Sequence, residues 1–165
     1  LIELIKKDVV VRLGLFVNFF FTCVAIITTA TVRSVHGIGT TADIVARELN
    51  KAIIDELIFE DPELPPESFI DGIDLVTEGI LTLQKVNEIL KSYNNSVRLG
   101  KGPADKIVRL VMESDEIHFI IGTRINIAHQ DPTLPVELEI RRTVIKRIAR
   151  LLEEKWLKKV SFEYI

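Results

Sequence analysis

The sequence predicts an α/β fold in which a mostly parallel sheet carries helices on both faces, giving three layers. From Arg33 onward, short apolar runs rich in β-branched residues alternate with stretches that place apolar residues at helical spacing. This alternation is typical of βαβ units, whose crossover connections make neighbouring strands parallel. Since no repeat or long linker interrupts it, we predict a single α/β domain over residues 33–165, preceded by an apolar segment over residues 1–32.

The composition limits the class of protein. The 165 residues include 21 Lys or Arg and 24 Asp or Glu, and this balance argues against a broadly basic nucleic-acid surface. Hydrophobic residues make up 47% of the chain, which excludes a disordered protein. The single cysteine, Cys23, excludes an internal disulfide and a cysteine-ligated zinc site, and a lone thiol fits a reducing compartment. We therefore expect a cytoplasmic protein.

The N-terminal segment has three interpretations. Leu13–Val32 carries no charged residue, and its length would span a bilayer and make the protein membrane-associated. Its five Asn or Thr residues and its β-branched density favour instead a strand or helix buried in the domain. The third interpretation is that the segment is not native in its reading frame or context. The chain opens on Leu1 inside an apolar run, so we expect its natural start to lie upstream.

The first elements follow from local signals. Arg33–Gly37 is a short strand candidate, and Thr40 or Thr41 can cap the helix that follows. The apolar face of this helix consists of Ile44, Val45, Leu49 and Ala52. After a broken apolar stretch, Glu60–Ser68 holds three of the six prolines, which predicts an irregular surface loop.

The rest of the domain shows clearer periodicity. In order, the predicted elements are a strand at Ile73–Thr77, a helix from Gly79 through Tyr93, a helix at Pro103–Ser114, a strand at Ile117–Ile121, a helix that begins near Pro135 and a closing strand at Val160–Tyr164. Within the strand after Glu116, we expect His118 to be a core or sheet-face residue. The basic residues of the last helix are expected to form a solvated face.

Polar clusters follow three of the predicted strands. In parallel α/β sheets, ligands bind outside the carboxyl ends of the strands, so these clusters are the candidate ligand-binding residues. The first cluster contains Gly37, Gly39, Thr40 and Thr41, in which the glycines permit close backbone approach and the following helix offers unpaired N–H groups to an anion. A tight turn with a threonine cap explains the same residues.

The second cluster contains Asp74, Thr77, Glu78 and Gly79. We place Asp74 within the apolar strand, where a carboxylate needs a partner. Asp74 and Glu78 are candidate metal ligands, although two carboxylates without a third oxygen ligand are weak support for a metal. Capping of the next helix by Thr77, with Glu78 at its positive end, is the alternative explanation.

The third cluster follows the clearest strand and contains Thr123, Arg124, Asn126, His129 and Asp131. Arg124 is suited to a phosphate or a carboxylate, and His129 with Asp131 could act as an oriented base. No nucleophile-elbow pattern accompanies them, and hydrogen bonds that order the loop explain His129 equally simply.

Three segments together resemble a known family. They are Gly39–Leu49 (GTTADIVAREL), Gly72–Leu83 (GIDLVTEGILTL) and Gly122–Leu138, which includes GTRIN, AHQDP and LPVEL. They look like the C-terminal portion of the stage II sporulation protein E family of metal-dependent serine/threonine phosphatases, and the resemblance runs from about Arg33 to Ile165. It implies a parent protein that hydrolyses phosphoserine or phosphothreonine in a phosphoprotein, using manganese or magnesium held by aspartates.

The chain departs from the family at its catalytic motifs. The Ser-Asp-Gly and Asp-Asp type motifs that hold the metal belong to an upstream phosphatase domain, and neither is present here. The family's first glycine cluster typically has Gly-Gly-Thr-Thr, whereas Gly37 is followed here by Ile38, Gly39, Thr40 and Thr41. The resemblance therefore implies no catalytic residue, metal or other cofactor within this segment.

Three hypotheses for function remain. In the first, the chain is a non-catalytic module that binds a small anionic ligand or a partner and regulates its own upstream phosphatase domain. In the second, it is a stand-alone metal-dependent hydrolase or transferase that uses Asp74, Glu78 and His129. In the third, it is an interaction domain anchored in a membrane through Leu13–Val32.

Overall fold

The structure is a computed structural model of the chain. It describes residues 17–18, 24–28, 34–36, 46–47, 50–55, 60–71, 73–94, 96, 98–121 and 134–164. The strands are β1 (Val17–Asn18), β2 (Val24–Thr28), β3 (Ser34–His36), β4 (Ile53–Asp55), β5 (Ser68–Ile70), β6 (Leu75–Glu78), β7 (Glu116–Ile121) and β8 (Lys159–Tyr164). The long helices are α1 (Gly79–Ser92), α2 (Pro103–Met112) and α3 (Leu134–Glu154).

The strands form a mixed sheet, so the predicted mostly parallel sheet is wrong. The order is β4-β5-β6-β3-β2-β7-β8, and β1 also pairs with β6. β2 is antiparallel to both β3 and β7, and β5 is antiparallel to both β4 and β6. β3 and β1 are parallel to β6, and β7 is parallel to β8. The error arose because β2 comes from the apolar segment that we placed before the domain, and because three-residue strands such as β4 and β5 are too short to show a period.

The three long helices pack together on one face of the sheet, so the predicted three layers with helices on both faces are also wrong for these helices. One core cluster joins α1, α2 and α3 to the alternate residues of β7, namely Ile117, Phe119 and Ile121, and to Leu75 of β6. From the helices it takes Leu83, Val86, Leu90, Ala104, Ile107, Val108, Val111, Val144, Ile145, Ile148, Ala149 and Leu152. Side chains alternate between the faces of a strand, so Val76 and Ile120 point to the opposite face, where both are fully buried.

Most of the elements from residue 73 onward were predicted within two residues of their bounds, including α1, α2, β7 and β8, and the start of α3 was predicted within one residue. The helix after β3 was predicted to reach Ala52, and this was wrong. Asn50 has a φ of 54°, its N–H donates to Arg47 O, and the N–H of Lys51 donates to Ala46 O. These are the two hydrogen bonds of a Schellman motif, which ends a helix at a left-handed residue. Ala52 therefore lies outside the helix and is exposed.

Parts of the apolar segment Leu13–Val32 are strands of this sheet. β1 and β2 both come from it, and β2 lies between β3 and β7. This placement agrees with the interpretation of the segment as containing strand. Over the described ranges, no helix combines the length and the apolar character that crossing a membrane requires.

Candidate ligand site at one edge of the sheet

The strand directions bring the carboxyl ends of three strands to the same edge. β3 is parallel to β6, and β2 is antiparallel to both β3 and β7, so β3, β6 and β7 all run in one direction. They end at His36, Glu78 and Ile121. We call this the carboxyl edge, and the opposite edge, where β6, β7 and β8 begin at Leu75, Glu116 and Lys159, the amino edge. The second cluster ends β6, and the first and third clusters follow β3 and β7, as the sequence predicts.

Many of the predicted site residues lie outside the described residues. They are Gly37, Gly39, Thr40, Thr41, Thr123, Arg124, Asn126, His129 and Asp131. Glu78 is described through its backbone, as the last residue of β6. The local geometry of the site is therefore that of Thr77, Gly79 and Asp74.

Thr77 carries an unsatisfied hydroxyl. It is the third residue of β6, its side chain is fully buried, and no described residue forms a hydrogen bond with its Oγ1. The capping role that the sequence suggested for Thr77 is therefore wrong, since its hydroxyl donates to and accepts from no group of α1. A buried hydroxyl without a partner costs about 1 to 3 kcal/mol. Such groups are rare in folded proteins, and among the described residues Asn87 Oδ1 and Trp156 Nε1 are also buried without a hydrogen-bond partner.

Gly79 turns the chain from β6 directly into α1. Its φ of 89° lies in the left-handed region, which glycine adopts without strain. Gly79 is buried, and a Cβ atom placed on it would have no heavy atom of the described residues within 4 Å, so there is open space beside this turn. The first turn of α1 contains no acidic residue, and the N–H groups of a first helical turn have no partner within the helix. This end of α1 is therefore chemically suited to an anion.

Asp74 lies away from the rest of its cluster, so the prediction that it lies within the strand is wrong. β6 begins only at Leu75, because Ile73 N–H donates to Ile70 O in the turn from β5. Asp74 is exposed at the amino edge, four residues before Glu78, which corresponds to about 13 Å along an extended strand. The structure thus separates the two carboxylates that we considered as a metal pair. Within the described part of the chain, no group of three or more His, Cys, Asp or Glu side chains is placed to hold a metal ion.

Lysine side chains close the amino edge. Lys155 Nζ donates to the carbonyl oxygens of Leu90, Lys91 and Tyr93, at 3.0, 2.8 and 2.8 Å, at the end of α1. Lys158 Nζ donates to Met112 O at 2.8 Å, at the end of α2. Each ammonium group donates hydrogen bonds to carbonyl groups that have no partner within the helix. Its positive charge also interacts favourably with the negative end of the helix dipole. Sequence analysis missed both roles, since each lysine is distant in sequence from the helix that it caps.

An open groove of about 640 Å³ lies beside these helix ends. Its lining residues are Tyr93, Ser96, Arg98, Leu99, Arg109, Met112 and Glu113. Arg109 Nη2 donates to Gly100 O at 3.0 Å, which holds the loop that forms one wall. The groove has the volume of a small-molecule site. Because it adjoins the carbonyl ends of α1 and α2, the helix dipoles oppose an anion here.

His118 on β7 contacts two side chains of β8. Its Nδ1 lies 2.6 Å from Ser161 Oγ, and its Nε2 lies 3.3 Å from Glu163 Oε2. A serine, a histidine and a carboxylate in contact have the composition of a catalytic triad. These three lie on an open strand surface, where the backbone N–H groups of Ser161 and Glu163 point into the β7–β8 ladder and cannot serve as oxyanion donors. We interpret them as cross-strand contacts, and the prediction of His118 as a sheet-face residue is confirmed.

The candidate site therefore rests on the strand directions, the buried Thr77 hydroxyl and the open turn at Gly79. Comparisons of this chain with protein-family models, with curated proteins and with solved structures find no match.

Proposed function

We propose that the chain is a regulatory module that binds a small anionic ligand at the carboxyl edge of its sheet. The observation that supports this proposal is the common direction of β3, β6 and β7, whose carboxyl ends, which the three polar clusters end or follow in sequence, lie at one edge. Ligand sites in α/β proteins form at such an edge because loops from several strands converge there.

The chemistry of the clusters favours an anion. The first turn of α1 offers backbone N–H groups next to the open turn at Gly79. Arg124, in the cluster after β7, supplies a guanidinium suited to phosphate or carboxylate oxygens. The buried hydroxyl of Thr77 lies two residues before α1, and none of the described residues is its hydrogen-bond partner.

The regulated partner that we propose is an upstream serine/threonine phosphatase domain of the stage II sporulation protein E type, acting on a phosphoprotein. This part of the proposal is supported by the sequence resemblance of residues 33–165. Manganese or magnesium would belong to that domain, because the chain has neither of the aspartate motifs that hold the metal. We also propose a cytoplasmic location, which the lone thiol of Cys23 supports.

The test is thermal unfolding of the chain with inorganic phosphate, ATP and citrate, each up to about 10 mM. A ligand at about 100 times its Kd stabilises the folded state by about 2.7 kcal/mol, which raises the Tm by several degrees. We expect at least one of these anions to do so, and Arg124→Ala to abolish the shift. Arg150→Ala is the matched control, because Arg150 is exposed on α3 and pairs with Glu154. A Tm that no anion raises would contradict the proposal.

A further inference from the structure

The outer edge of β8 is long, regular and partly apolar. β8 pairs with β7 over six consecutive residues, from Lys159 opposite Glu116 to Tyr164 opposite Ile121, without a bulge. It is the last strand in the sheet order and contains no proline. Phe162 and Tyr164 stack on one another and are 38% and 51% exposed. Proteins usually protect an edge strand with a proline, a bulge or a central charge, and the middle of β8 has none of these.

The backbone of β8 shows which residues offer hydrogen bonds outward. The N–H of Lys159 donates to Asp115 O at 2.9 Å, so Lys159 directs its N–H and C=O toward β7. Peptide groups alternate along a strand, so Ser161 and Glu163 also face β7. The N–H and C=O groups of Val160, Phe162 and Tyr164 therefore point away from the sheet, and β7 is the partner that the described residues give β8.

We propose that β8 pairs in antiparallel fashion with β8 of a second copy of this chain, about a twofold axis at Ser161. An antiparallel pair must place outward-facing residues opposite each other, which this register does by pairing Val160 with Phe162 of the other copy. It also places Lys159 opposite Glu163 of the other copy, and symmetry repeats this pair of opposite charges. In the other registers that pair the outward-facing N–H and C=O groups, Lys159 and Glu163 do not lie opposite each other.

Contacts within each chain are compatible with this register. Lys159 already pairs with Glu116 at 2.7 Å, and Glu163 already contacts His118 at 3.3 Å. The side chains of all four residues are partly exposed. Lys159 and Glu163 of the second copy can therefore join these contacts, and no charged group becomes buried without a partner of opposite charge. On the other face, Val160 packs at the core and Phe162 stacks on Phe119, so pairing would extend an apolar row across the two copies.

The first test is sedimentation velocity of the full chain from about 1 to 300 µM, with a concentration-dependent dimer expected. Lys159→Glu and Glu163→Lys should each weaken the dimer by about tenfold or more, since each places like charges opposite each other. The double variant Lys159→Glu/Glu163→Lys should restore it. Glu153→Lys, at an exposed position of α3, is the control for a change of net charge.

The second test does not depend on charge. In this register, Ser161 forms a non-hydrogen-bonded pair with itself, with Cα atoms about 4.5 Å apart, which a disulfide can bridge. In a Cys23→Ala background, Ser161→Cys treated with diamide should form a dimer, as diamide takes up the two electrons and two protons of the thiols. Ser92→Cys, exposed at the end of α1, is the control. A monomer over the whole range, a double variant that stays weak, or crosslinking no faster than the control would each overturn the proposal. Far-UV circular dichroism confirms that each variant is folded.

Discussion

The two edges of the sheet differ in how the chain treats its helix ends. At the amino edge, ammonium groups of Lys155 and Lys158 satisfy the carbonyl ends of α1 and α2. At the carboxyl edge, α1 begins after a left-handed glycine and the buried Thr77 hydroxyl, for which the described residues supply no hydrogen-bond partner. The helix ends at the amino edge are therefore completed by the chain's own charges, although Trp156 Nε1 in the same turn is buried without a partner among the described residues. At the carboxyl edge, the first turn of α1 contains no acidic residue, so its N–H groups can interact with an anion.

The largest expected effect comes from opening the amino edge. Lys155→Met keeps most of the side-chain length but leaves the carbonyls of Leu90, Lys91 and Tyr93 without their donor. We expect the free energy of unfolding in urea to fall by about 2 kcal/mol, as for other hydrogen bonds to charged groups. Lys146→Met is the control, since Lys146 is exposed on α3. If both variants lost the same free energy of unfolding, the hydrogen bonds from Lys155 to the end of α1 would not stabilise the amino edge.

A smaller loss is expected from altering the turn at the carboxyl edge. Gly79→Ala places a Cβ in open space, so the change acts through the backbone at φ 89° alone. Forcing an L-residue into the left-handed region costs roughly 1 to 2 kcal/mol. The same urea titration measures this loss. An unchanged stability would mean that the turn relaxes and that glycine is not required there.

Thr77→Val should change stability in the opposite direction. Valine has nearly the shape of threonine and removes a buried hydroxyl to which no described residue forms a hydrogen bond, so we expect a gain of about 1 kcal/mol in the free energy of unfolding. The same variant should weaken the Tm shift produced by the best anion. A variant that is more stable and binds the anion as tightly as the parent would remove Thr77 from the site.

The smallest effect concerns an exposed ion pair at the amino edge. Lys51 donates a hydrogen bond to Asp71, and this contact together with the charge of Lys51 holds the pKa of Asp71 below its usual 3.8. A carboxyl whose pKa is lower in the folded state stabilises the fold above its unfolded pKa, and this contribution is lost as the pH falls through the folded pKa. Asp71→Asn should therefore be slightly less stable than the parent at pH 7, and the difference should shrink below about pH 4. A constant difference between these pH values would contradict this assignment.

Much of the fold could be predicted where the signal is local. α1, α2 and α3 show helical periodicity, and Ile117–Ile121 is apolar at nearly every position. The strand directions could not be predicted, because they depend on pairs far apart in sequence, such as Ile26 with Phe119. For the site, the rule for parallel sheets led to the residues at the strand ends, and the ends of β3, β6 and β7 lie at one edge because β2 is antiparallel to both β3 and β7. The first and third clusters lie outside the described residues, so their place in the site stays a prediction. Asp74 was misplaced because the strand was predicted to start at Ile73 and starts at Leu75, and such a two-residue shift has no sequence signal.

The lysine caps also bear on how the chain folds. Lys155 and Lys158 lie in the short turn between α3 and β8, and they reach helices that come 65 and 46 residues earlier in the chain. α1 and α2 therefore lack their final donors until α3 has docked and the turn has formed. Short helices are marginal by themselves, so full helicity at these two ends should appear late in refolding, together with the pairing of β8.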